Sequence, residues 1–354
     1  MASRCDDRRG PLAPSSHGTW AVGLAGLSCV LFCINGELLQ ALQVHTSPTE
    51  GHASPLLNLA LCHMGGLLLF PVLAAQGNLL RGGSHDHEVS GQVMAVSSLI
   101  FSALIMGYNY AWLRSATHIA ASLTNAVFQV SVALVCVASG VVFRDKFTLV
   151  QGLGICMALV GSAFAACGGA TPAALGGGQL ARGVFLALTA AVGVTVYQVL
   201  FRYWFGQQKG NPLFLANFFM CVGAWHVVLL PLIFLADYYG LETLTVPHGY
   251  LAIAGTAASA LIASAVNLMY LCIVMWGSPM LLPCSSALSV PLTVLLDVLL
   301  HHASPSYYEL TGHLAVVMSV VLINGAQLIA AAGADGRPLV GRSGKPKPWN
   351  SMDV

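Results

Sequence analysis

Apolar runs of about twenty residues recur along this chain with almost no charge inside them, and that pattern leaves few folds open. A helix needs about 20 mostly apolar residues to cross a hydrocarbon core. Such runs lie at roughly 19–43, 55–75, 92–113, 118–143, 148–167, 181–204, 212–236, 249–275, 279–300 and 306–332. Only 8% of the 354 residues are Asp, Glu, Lys or Arg, against 56% apolar; a soluble domain carries about 25% charged residues to cover its surface. The chain reads as an all-α polytopic membrane protein with ten transmembrane helices.

The basic residues test that count, because cytoplasmic loops carry the excess of Lys and Arg. With a cytoplasmic N-terminus, the inside segments hold Arg4, Arg8, Arg9, Arg81, Arg144, Lys146, Arg202, Lys209, Arg337, Arg342, Lys345 and Lys347, and the outside holds only Arg114 and Arg182. One span more or fewer would scramble this segregation. Both termini are therefore expected in the cytoplasm. The first apolar run is longer than a signal-peptide core of about 7 to 15 residues and is read as a retained span.

A partial echo divides the chain. Ser102-Ala103-Leu104-Ile105 returns as Ser259-Ala260-Leu261-Ile262, 157 residues later, Asn267 echoes Asn109 with one residue of slip, and Gly312 answers Gly152. Five spans per half is an odd number, so the second copy starts from the opposite side of the membrane. The expected organisation is a cytoplasmic tail at 1–18, a five-helix repeat at 19–168, a Gly/Ala/Pro-rich linker at 169–180, an inverted five-helix repeat at 181–332 and a basic cytoplasmic tail at 333–354. Inverted repeats are the architecture of many secondary transporters, in which one bundle rocks against the other around a midplane site.

Other classes find little support. A net charge of +1 offers no basic face to a nucleic acid. Nearly all of the ten cysteines fall inside apolar runs, where a free thiol behaves as a small hydrophobe. His85-Asp86-His87-Glu88 has a metal-like look but sits in a Gly-rich loop, where solvation is the commoner fate. No metal, cofactor or enzymatic machinery is called for: no nucleophile or acid/base pair stands out within the spans.

Polar groups inside the spans are the site candidates, because they are expensive in hydrocarbon and usually face the bundle interior. Glu37 lies in the first run with Gln40 a turn on, and its carboxylate suits a cation or an exchanging proton. Around it the reading gathers Asn109 and Tyr110, Asn125 and Gln129, Tyr197 and Gln198, Asn217, Asn267 and Tyr270, and Asn324 and Gln327. Amides both donate and accept, and aromatic rings can face a cation. Each amide alone is more often helix-to-helix glue. Asp297, near the outer end of the ninth run, is a second coupling candidate. Gly152, Gly154 and Gly161 in the fifth run are read as packing positions. A dianionic solute would need Lys or Arg in the cavity, yet no lysine lies inside a span.

Asn109-Tyr110-Ala111-Trp112-Leu113 and Phe143-Arg144-Asp145-Lys146-Phe147-Thr148, leading to Gly152 and Gly161, resemble the drug/metabolite transporter (EamA-like) superfamily. Within it the chain resembles solute carrier family 35, subfamily F. Tyr197-Gln198-Val199-Leu200-Phe201-Arg202 is similar to the sixth-span pattern of that subfamily, and Ser289-Val290-Pro291 to its ninth. The resemblance implies ten helices in two inverted halves and alternating-access transport. One branch of the subfamily implies a thiamine-like organic cation as solute. The expected partners are a small-molecule solute and the lipid bilayer, with a coupling proton or counter-substrate and a homodimer compatible with them. The competing expectations are a nucleotide-sugar or other organic-anion antiporter, with Arg114 and Arg202 as anion contacts, and a non-transporting membrane scaffold or receptor.

Overall fold

Several helix starts in this chain are set by side chains that accept the first free amides, which matters most where water is scarce. Thr148 and Gln151 form a reciprocal box: Thr148 Oγ1 accepts the Gln151 N–H at 3.2 Å and Gln151 Oε1 accepts the Thr148 N–H at 3.0 Å. Ser90 Oγ accepts from Val93 N–H at 3.3 Å, Asn211 Oδ1 from Phe214 N–H at 3.1 Å, and Ser306 Oγ from Glu309 N–H at 3.2 Å. Pro212 follows Asn211 at the first helical position, where its missing N–H costs nothing.

A computed structural model describes residues 16–45, 54–80, 89–119, 121–144, 148–169, 177–208, 211–276, 288–289, 291–296, 298–299 and 306–334. The helices are α1 (Ser16–His45), α2 (Pro55–Met64), α3 (Phe70–Ala75), α4 (Gly91–Ala116), α5 (Ala121–Phe128), α6 (Val130–Phe143), α7 (Leu149–Gly169), α8 (Gly177–Phe205), α9 (Pro212–Tyr238), α10 (Tyr250–Trp276) and α11 (Tyr307–Ala334). A 3-10 segment, Gly65–Leu69, joins α2 to α3, and residues 291–296 are helical between α10 and α11. No strand occurs among the described residues. Among the described residues five stretches are long and apolar enough to cross a membrane: Leu56–Ala75, Gly91–Ala116, Gly178–Phe205, Pro212–Tyr238 and Tyr250–Val274.

The expected apolar runs coincide with helices wherever the chain is described, and the structure adds two breaks. The second run is α2, the 3-10 segment and α3 in series. The fourth is split at Gln129 into α5 and α6. In the expected linker region, α7 continues to Gly169 and α8 begins at Gly177. Most of the ninth run, Asp297, the His85 to Glu88 cluster and the C-terminal tail lie outside the described residues.

Lipid gives helices no hydrophobic reason to associate, so close packing at small residues and occasional polar contacts must hold the bundle. The longest seam runs between α7 and α11. A methyl group at Gly161 would lie 2.7 Å from the Gly312 carbonyl oxygen and 2.9 Å from Ala315 Cβ. Gly152 has open space around it, so the expectation that it serves packing fails there. The other main pairings are α1 with α10, α4 with α8, α2 and the 3-10 segment with α9, α4 with α9, α2 with α10, and α6 with α8. Cys33 of α1 reaches the Ser289 carbonyl at 3.6 Å.

The core is aromatic. Phe101 of α4 is fully buried, with Tyr197, Phe201, Trp204 and Phe218 presenting rings edge-on at centroid distances of 5.5 to 5.6 Å. Edge-to-face pairs of this kind add about 0.5–1.5 kcal/mol each beyond burial. The two ends of the bundle are also distinct. At one end, Ser54 N–H donates to the Thr245 carbonyl at 3.0 Å, Phe164 stacks on Tyr308, and exposed tyrosines 238, 239, 250 and 307 form a rim. At the other, Arg202 lies 4.1 Å above the Phe143 ring, and Arg144 ends α6 in the left-handed conformation at φ 56°.

Candidate functional site

Side chains from five helices and the 288–293 region converge around the middle of α1. Cys29 and Cys33 are free thiols one turn apart that share a hydrogen bond, and Cys33 Sγ also lies 3.7 Å from Thr293 Oγ1. Glu37, half-buried one turn further on, is within electrostatic reach of Cys33. Tyr270 of α10 interacts with Cys29, Cys33 and Tyr108 of α4. Tyr108 in turn lies 6.0 Å, centroid to centroid, from Tyr197 of α8. Gly193 makes this approach possible, because a methyl there would stand 2.6 Å from Tyr108 Cβ. On the neighbouring face of α1, Phe32 meets Trp112 edge-on at 6.3 Å, and the Trp112 indole N–H donates to Asn125 Oδ1 at 3.2 Å.

Of the residues singled out in the sequence, the structure thus brings together Glu37, Asn125, Tyr197 and Tyr270. It links them through Cys29, Cys33, Phe32, Tyr108 and Trp112. The chemistry on offer is a carboxylate at the margin of an aromatic-rich cluster with thiol and amide groups, of a kind that suits a flat, electron-poor face.

The remaining candidates sit elsewhere or are otherwise engaged. Asn109 donates to the Ile105 carbonyl of its own helix at 3.0 Å. Tyr110 lies beside Glu242 at the tyrosine-rimmed end. Asn217 is fully buried, donating to the carbonyls of Asn78 and Leu213 at 3.0 and 3.1 Å and accepting from Leu80 N–H at 2.8 Å. It pins the turn after α3 to α9. Gln129 is buried at the α5/α6 break, and Asn267 is half-buried on α10. Gln198 is buried on α8 with its amide oxygen unpaired. Gln40 on α1 and Asn324 and Gln327 on α11 belong to helices, but their side chains lie outside the described residues.

Several polar residues were missed in the sequence. Glu242 sits in the connection from α9 to α10, is buried, and accepts the Leu56 N–H at 2.9 Å, capping the start of α2. His63 of α2 and His226 of α9 are buried and stacked on each other, with centroids 4.8 Å apart and planes 13° off parallel. A lone histidine in an apolar run gives no signal by itself. The partial repeat was the available hint, since these two are 163 residues apart and the echoed motif 157. Among the described residues no group of three or more His, Cys, Asp or Glu could hold a metal ion.

Apolar helices exposing Leu, Val, Phe and Tyr around a buried polar-flecked interior define an integral, multi-pass membrane protein. Residues 19–167 match the model of the EamA-like transporter family. No curated protein matches the chain. A solved structure titled "Crystal structure of protein" matches at 18% identity with a TM-score of 0.61, over 87% of this chain and 99% of that one. That likeness shows a shared fold, and it extends well beyond the family-matched stretch.

Proposed function

We propose that the protein is a secondary transporter that moves a small organic solute by alternating access between two inverted five-helix halves, 19–168 and 181–332. The packing pattern carries this reading. Exchange each of the first five spans for its counterpart in the second five, and the contacts map onto themselves. The α1–α10 pair becomes α8–α4, α2–α10 becomes α9–α4, and α6–α8 becomes Ser289 and Thr293 against α1. The α2–α9 and α7–α11 seams each become themselves. The family match over 19–167 supports the transport class. Segments assigned to the same side by their basic residues also share an end of the bundle: 54 with 245, and 164 with 308. Both termini are then cytoplasmic and the tyrosine-rimmed end faces outward.

The solute binds where α1, α4, α8 and α10 converge, with Glu37 for positive charge or a coupling proton and Tyr270, Tyr108 and Trp112 for a ring. A thiamine-like organic cation fits that chemistry. An anion path is less well served, because the Arg202 guanidinium lies over Phe143 at the inner end. Uptake of labelled thiamine into proteoliposomes tests the reading. Wild-type vesicles should accumulate it, and Tyr270→Ala and Glu37→Gln should each lose about tenfold, as expected for one desolvated cation–π or charge contact of about 1.4 kcal/mol. Unchanged uptake with unchanged pH dependence in Glu37→Gln removes that residue from the mechanism; if vesicles move neither thiamine nor any of a panel of organic cations and sugar nucleotides, transport itself is wrong.

A further inference from the structure

His63 and His226 occupy the place where the two halves meet, and nothing in the solute site uses them. His63 lies in the last turn of α2 just before the 3-10 segment, and His226 lies within α9. The backbones are very close here: any side chain at Gly66 would run into the Phe219 carbonyl, and a methyl at Gly223 would stand 3.0 Å from Leu67 N. Each ring points Nδ1 at the carbonyl four residues back, His63 to Leu59 at 2.9 Å and His226 to Val222 at 2.8 Å. A carbonyl only accepts, so each Nδ1 carries a hydrogen and each neutral ring keeps a lone pair on Nε2. Both Nε2 atoms are buried without a hydrogen-bond partner.

Packing alone does not call for this arrangement, since two apolar rings would fill the seam without leaving buried acceptors unsatisfied. The surroundings also leave the rings without a fixed counter-charge. α2, the 3-10 segment and α10 contain no Asp, Glu, Lys or Arg, while Arg114 of α4 and Asp237 of α9 lie toward the far ends of their helices. The titratable groups close by in sequence are the thiols of Cys62 and Cys221, and serines of the adjoining helices bond around them: Ser98 of α4 to Cys221, Ser102 of α4 to the Val222 carbonyl and Ser264 of α10 to the Cys62 carbonyl. Tyr108 and Tyr270 are about six residues further along α4 and α10, roughly 9 Å at helical rise.

We infer that His63 and His226 form a proton-binding site whose occupation loosens the α2–α9 seam between the two halves. The pair takes up one proton from water on one Nε2. A second is opposed by the like charge stacked beside it. The resulting imidazolium has a new N–H and no fixed anion, so it is better satisfied when the seam parts and water reaches it. Lower pH therefore favours the parted seam, and the proton returns to water when the seam closes over neutral rings. What this movement accomplishes rests on the two-half transport reading; the proton site itself does not.

Nitrogen-15 NMR of the histidine-labelled full chain in lipid bilayers, titrated from pH 8 to 5, tests the binding directly. One ring signal should pass from the neutral Nδ1–H tautomer to imidazolium, and that signal should be missing in the His63→Gln/His226→Gln chain. Hydrogen exchange of the segments 55–75 and 212–238, corrected for intrinsic rate, should accelerate several-fold at pH 5 in the wild type and lose that acceleration in the double variant. Two rings that stay neutral at pH 5 overturn the inference, as does an acceleration that survives both substitutions. The NMR titration on the wild type does not depend on the variant folding. A titrating pair in a protein that moves no solute would sink the transport reading alone, and silent rings in an active transporter would sink the proton site alone.

Discussion

The α7–α11 and α2–α9 seams both let backbones touch through glycine, yet they are built differently. Along α7 and α11 two continuous helices meet at Gly161 and Gly312. At α2–α9 the first partner changes from α-helix to 3-10 and back within one crossing, and Ser264 of α10 donates to the Cys62 carbonyl where the helix gives way. A 3-10 stretch inside a helix often marks a hinge. Continuous helices fasten, whereas a broken helix with two unsatisfied rings at its turning point yields.

Substitutions can break or sharpen that contrast. Gly66→Leu should have the largest effect, about 3 kcal/mol, because the side chain falls on a backbone carbonyl that cannot rotate away; the readout is loss of a monodisperse peak on size-exclusion chromatography. Gly161→Leu should cost about 2 kcal/mol by overpacking, visible as a lower Tm in detergent, and with no change in the pH dependence of hydrogen exchange at 55–75. Asn217→Ala removes two hydrogen bonds that tie the turn after α3 to α9 and one within α9, and should cost about 1.5 kcal/mol, near the upper end for polar contacts in membranes, with faster exchange confined to 76–80 and the start of α9. Ser264→Ala should cost about 0.6 kcal/mol and shift the His63/His226 titration more than it shifts Tm. Gly152→Leu, into open space, should leave Tm unchanged within about 0.5 kcal/mol; a loss as large as that of Gly161→Leu would mean that α7 is packed on a different face.

Much of the helical layout was legible because hydropathy and capping speak locally. The Thr148–Gln151 box, the Asn211-Pro212 start and the apolar runs need only a few neighbours in sequence to be recognised. The proposed site was legible only residue by residue. Glu37, Tyr270, Tyr197 and Asn125 stand out as polar groups in apolar runs, while Cys29 and Cys33 read as small hydrophobes, and nothing local says that they share one cluster. Asn217 carried the same polar signal but is committed to backbone. Which of these outcomes an amide meets depends on what a distant helix places opposite it, and period and composition do not encode that. The breaks at Gly65 and Gln129 were hidden for a related reason: both lie inside runs whose hydropathy never falters, and tertiary contacts set the local geometry.

Glu242 has a consequence for which shape the molecule prefers at rest. By accepting the Leu56 N–H at 2.9 Å, a residue between α9 and α10 completes the first turn of α2, on the other side of the proposed division. A helix cap is worth about 1 kcal/mol, and that is roughly a fivefold weighting of one population over another. Parting the chain at the tyrosine-rimmed end would leave α2 without its cap and the carboxylate in search of a new donor. The bundle is therefore biased toward keeping that end shut, and whatever opens it must first compensate an unfinished helix.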